Sequence, residues 1–83
     1  MKILYFSWLR EKVGKDEELV SPPENVTNIK ELISWLKTLD NKYENAFKDL
    51  STVRQAKNME TVPLDEKISV NDEIAFFPPM TGG

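Results

Sequence analysis

One stretch of this sequence dictates most of what can be built around it. Ile29, Leu32, Ile33, Leu36 and Leu39 fall at offsets of three, four, seven and ten, so in a helix they share one face. Thr27 is placed to cap the start of that helix, Trp35 lies at the flank of the stripe, and Asp40-Asn41 is expected to end it. A single apolar stripe must be covered, and strand-like segments stand on both sides to cover it. Lys2 to Trp8 is β-branched and aromatic and reads as a buried strand. Leu9 to Val13 suits a short helical turn stopped by Gly14. Glu18 to Ser21 is a second, weaker strand ended by Pro22-Pro23, forming a hairpin with the first across a long loop. Beyond the helix, Tyr43 to Leu50 suits one or two further turns. Thr52 to Lys57 and Glu60 to Val62 read as strands. Leu64 to Val70 is a connection anchored by Ile68 and Val70, Asn71-Asp72 is a turn, and Glu73 to Phe77 is the last strand. The order predicts an α+β domain: a sheet of about four to five strands with one main helix across it, spanning residues 1–77, followed by a tail over 78–83.

The composition narrows the chemistry. A chain of 83 residues makes one modest core. It contains no cysteine and no histidine, so a Ser-His-Asp or Cys-His arrangement is impossible, and a zinc or transition-metal site is not expected. The net charge of −3 opposes a phosphate backbone, so no nucleic-acid partner is expected. No Gly-rich phosphate cradle occurs. No apolar run approaches the roughly 20 residues of a membrane span, and the first residues lack a signal-peptide pattern, so a cytoplasmic protein with no membrane partner is expected. Asp40 to Asn45 looks like a calcium loop but lacks the glycine at its sixth position and the distal glutamate. Asp65-Glu66 and Asp72-Glu73 are neighbours whose side chains point apart, which suits solvated loops better than a carboxylate pair.

The carboxyl terminus stands out. From Ile74 to Gly83 there is no charged side chain, although 30% of the whole chain is charged. Gly82-Gly83 alone would be an ordinary frayed end. Behind an uncharged approach and Pro78-Pro79, it reads as a stiff, slender probe. The six residues after Phe77 reach roughly 20 Å when extended, and two glycines pass where no Cβ fits. A free α-carboxylate is ionised at neutral pH and must be activated before it accepts a nucleophile. Adenylation by ATP is the common route, and without a phosphate loop this chain needs a partner for it. The activated glycine could then take sulfur, as a thiocarboxylate, or a lysine amine, as an isopeptide.

The ending Asp72-Glu73-Ile74-Ala75-Phe76-Phe77-Pro78-Pro79-Met80-Thr81-Gly82-Gly83 resembles that of the MoaD/ThiS family of ubiquitin-like β-grasp sulfur carriers, in particular the small subunits of molybdopterin synthase. Arg10-Glu11-Lys12-Val13-Gly14 is similar to a second family stretch, and Asn58 to a third. The resemblance implies a mixed β-grasp sheet with a flexible tail. It implies adenylation of Gly83 by a MoeB-like enzyme that uses ATP, with no cofactor and no metal held by this chain. A thiocarboxylate at Gly83 would then donate sulfur to cyclic pyranopterin monophosphate in a MoaE-like large subunit, two of each subunit forming the assembly. Gly82 would keep the tail slender, Thr81, Met80, Pro79 and Pro78 would line the partner's channel, and Phe77 would dock. Arg10 is either an ordinary surface charge or half of a salt bridge to a partner. A ThiS-like thiazole carrier, a ubiquitin-like protein modifier and a plain binding adaptor remain as other readings.

Overall fold

Alternation sets the first strand: Ile3 and Tyr5 face inward and are fully buried, while Lys2 and Leu4 face out. In the computed structural model, which describes residues 1–79, this strand is β1, Lys2–Tyr5. It stops three residues short of the expected Trp8. Ser7 has a positive φ of 57°, which breaks the strand and turns the chain into helix α1, Trp8–Val13. Gly14, with φ of 85°, closes that helix by donating its N–H to the Arg10 carbonyl, a left-handed cap that glycine adopts without strain. β2, Glu17–Leu19, returns antiparallel to β1.

The main helix, α2, runs Ile29–Lys37. Its cap is Asn28 rather than Thr27, because the Asn28 side chain accepts from the Glu31 N–H at 2.8 Å. Thr27 sits one residue earlier and donates both its N–H and its hydroxyl to the Glu31 carboxylate, at 2.8 and 2.7 Å. Ile29, Leu32, Ile33 and Leu36 are buried as the stripe requires. Leu39 is not: the helix ends before it and leaves it half exposed. Asp40, expected to stop α2, instead caps α3, Asn41–Ala46, by accepting from the Lys42 N–H at 2.9 Å. Asp49 likewise caps a 3-10 turn, Leu50–Thr52, which delays β3 to Arg54–Lys57. β4, Glu60–Thr61, and β5, Glu73–Phe77, complete the chain's strands among the described residues. Of the two expected anchors before β5, Ile68 packs against the core, whereas Val70 is 71% exposed at the turn.

The sheet order is β2-β1-β5-β3-β4. β1 and β5 run parallel at its centre, Tyr5 opposite Phe76, and every other pairing is antiparallel. One face of this mixed sheet is covered by the helices. Their apolar residues meet Ile3, Tyr5, Ile74 and Phe76 in one core, with Phe47 and Tyr43 supplied by the α3 region.

Candidate functional site

The site is built where β5 ends. Its ladder with β1 continues past the strand, since the Phe6 N–H donates to the Phe76 carbonyl at 3.1 Å, and Arg54 of β3 pairs with Phe77 on the other side. The last strand is therefore held by both neighbours up to its final residue. Phe76 fixes it from within: it is fully buried, lies 6.2 Å from the Tyr5 ring in a stacked arrangement and meets Phe47 edge-on at 4.9 Å. Alternation then sends Phe77 to the face without helices, where it is half buried, with Pro78 and Pro79 following it, also half buried.

On that open face Leu4, Ala75 and Phe77 are half buried and Phe6 is 47% exposed, giving an apolar patch around the exit of β5. Arg54 borders it, its guanidinium donating to the Ser51 and Val53 carbonyls at 3.2 and 2.9 Å. Lys2 and Glu17 form an ion pair at 3.2 Å farther along. Phe6 was legible in principle, because alternation from Ile3 and Tyr5 turns it outward. Arg54 was not, because its place beside Phe77 depends on strand register.

Arg10 of α1 faces Asp16 at 3.7 Å, with both side chains at least half exposed, so the pair is weak and open to exchange. Met80, Thr81, Gly82 and Gly83 lie outside the described residues. Asn58, which looked familiar in the sequence, does structural work: in a left-handed backbone, its side chain accepts from the Glu73 N–H at 2.9 Å and donates to Asp72 at 3.0 Å, pinning the start of β5. Behind the site, Glu18 accepts the hydroxyls of Tyr5 at 2.6 Å and Tyr43 at 2.7 Å. Burial pushes the Glu18 carboxyl up, but the hydrogen bonds from Tyr5, Tyr43 and Lys15 outweigh it and hold it below the usual range. Both tyrosines are pushed up, by burial first and then by the carboxylate each faces.

No group of three or more acidic side chains capable of holding a metal occurs among the described residues. The geometry offers a strand end held on both sides beside an apolar surface. The fold and this exit together define a ubiquitin-like β-grasp domain. The sequence model of the ThiS family matches residues 3–83, and the chain belongs to that family. It is 36% identical over 84 residues to a molybdopterin synthase sulfur carrier subunit of Dictyostelium discoideum, covering 99% of this chain and 94% of that one. A Pyrococcus furiosus structure assigned as molybdopterin converting factor, subunit 1, superposes with a TM-score of 0.76 at 31% identity over 95% of each chain. A complex of subunits 1 and 2 of molybdopterin-converting factor from Helicobacter pylori shares the fold, with a TM-score of 0.63 at 18% identity, over 99% of this chain and 96% of that one. The family read from the terminal dozen residues is thus borne out.

Proposed function

We propose that this chain is the sulfur carrier subunit of a molybdopterin synthase, acting in the cytoplasm. The observation that carries the reading is its likeness, over nearly its whole length, to a relative of that name. The exit of β5 through Phe77-Pro78-Pro79 beside an apolar face supports it, because a carrier needs a firm body from which its terminus projects.

In this reading a separate, MoeB-like enzyme joins the Gly83 carboxylate to the AMP of ATP and releases pyrophosphate. A sulfur nucleophile displaces AMP, leaving a thiocarboxylate. The terminus then enters a MoaE-like large subunit, which holds the active site. There its sulfur passes to cyclic pyranopterin monophosphate and the carboxylate is regenerated. Two such deliveries build the dithiolene. This chain supplies no acid, base or metal to those steps. Gly82 and Gly83 keep the terminus narrow, Met80, Thr81, Pro78 and Pro79 line the path, and Phe77 docks.

Removing Gly83 tests the reading. The shortened chain should keep the melting temperature of the parent, since a terminal glycine has no side chain to bury, and should fail to support molybdopterin formation with the large subunit. Full activity without Gly83 would overturn the assignment. Covalent conjugates of the chain with other proteins, seen as heavier bands in cell extracts, would point to a modifier instead.

A further inference from the structure

The end of the molecule where β5 exits carries a second surface, on the side of the helices. β1 and β3 flank β5; α1 follows β1 and the 3-10 turn precedes β3. Between α1 and that turn lies an open groove of about 430 Å³, lined by Trp8, Lys12, Ala46, Lys48, Asp49 and Thr52. It therefore sits at the same pole as the root of the tail, on the opposite face from the patch around Phe77. Trp8 is half buried in it, a large flat apolar surface open on one side.

The charges around this groove run against those of the whole. The chain carries −3, yet the groove has Lys12 and Lys48 against Asp49 alone, a net of +1. Asp49 is already engaged: its carboxylate accepts the N–H and the hydroxyl of Ser51, at 3.1 and 2.6 Å. Lys12 and Lys48 are exposed and, like Lys30, Lys37, Lys42 and Lys67 elsewhere on the chain, make no ion pair among the described residues; what sets them apart is that they share one groove with Trp8. Arg54, beside Phe77, adds another cation at this pole, also without an ion pair among the described residues.

We propose that this groove is a docking surface for an acidic segment of the large subunit that receives the tail, its carboxylates meeting Lys12 and Lys48 and an apolar side chain lying on Trp8. The inference rests on the carrier reading above, which supplies a partner that must close around the base of the tail. With the apolar patch on one face of the pole and this groove on the other, the partner grips the root of the tail from two sides. The patch contributes most of the affinity by burial, and the groove contributes association rate and orientation.

The experiment is calorimetric titration of the full chain with its own large subunit at low and high salt. Lys12→Glu/Lys48→Glu is compared with Lys30→Glu/Lys67→Glu, an equal change of charge at the opposite pole, where Glu66 next to Lys67 meets Lys57 at the far end of β3. The groove reversal should weaken binding about tenfold at low salt and lose most of its effect at high salt, while the distant reversal stays within about twofold of the parent. Lys12→Gln/Lys48→Gln, which removes charge without adding repulsion, should weaken it about threefold. Groove variants that bind like the parent at both salts, while the parent binds, overturn the docking surface and leave the carrier reading standing. A parent chain that does not bind the large subunit at all overturns the carrier reading and this inference with it.

Discussion

Two adjacent phenylalanines divide the work at the end of β5. Phe76 is fully buried between Tyr5 and Phe47, whereas Phe77 is half buried on the open face. Phe76→Ala should cost about 3–5 kcal/mol and unfold much of the population at moderate denaturant. Phe77→Ala should cost less than about 1 kcal/mol and instead weaken binding to the large subunit; denaturant melts and titrations separate the two effects. Alternation along the strand made this division legible from sequence alone. The Tyr5–Glu18–Tyr43 cluster was not legible, because Tyr43 lies 25 residues from Glu18 and only the packing of α3 onto the β1–β2 pair brings them together. Tyr43→Phe removes one hydroxyl donated to a carboxylate and should destabilise the fold by about 1–3 kcal/mol in a thermal melt.

At the level of elements, the hairpin joining β3 to β4 shows a local cost. Asn58 and Met59 both have positive φ, 51° and 75°, the geometry of a two-residue turn that favours Asn followed by Gly. Asn58 meets that preference and Met59, 91% exposed, does not. Met59→Gly should raise stability by about 0.5–1 kcal/mol, measured by denaturant unfolding; a decrease would show that the Met59 side chain makes a compensating contact. The main helix and last strand could be read from the sequence because each has a clean period and a strong boundary. Three of the misplaced boundaries involve short polar side chains whose capping partner depends on the fold. Asp40 starts an element where the sequence suggested an ending, Asp49 starts a separate 3-10 turn inside the stretch read as further helical turns and reaching into the expected strand, and Asn28 outcompetes Thr27 as the helix cap. The early end of β1 has a different local cause, the positive φ of Ser7, which makes no side-chain cap.

For the molecule as a whole, Glu18 and its tyrosines set opposite limits on pH stability. Because the folded Glu18 carboxyl titrates below its ordinary value, its contribution is complete above about pH 4.3 and is lost as pH falls through the lower folded value. The tyrosines titrate higher when folded, so their contribution is complete below about pH 10 and is lost as pH rises through their raised values. Melting temperature against pH should therefore fall on both sides of a neutral plateau, and Glu18→Gln should make the acid side shallower. An acid side unchanged in Glu18→Gln would assign acid unfolding to other carboxylates. The general architecture and the family were legible from the sequence, because the terminal motif and the helix stripe are local features. The shared pole of the Phe77 patch and the α1 groove was not, since it depends on β1 and β3 flanking β5. Because the chain contains no cysteine, sulfur carried at its terminus is directly measurable. The untagged chain, purified from its own cells while they make the cofactor, would be treated briefly with a thiol alkylator at mildly acidic pH. Its intact mass and the fragments of its terminal peptide would then be recorded. Alkylation located at Gly83 is the predicted result and establishes a thiocarboxylate; an unmodified carboxylate in every molecule would contradict the sulfur carrier assignment.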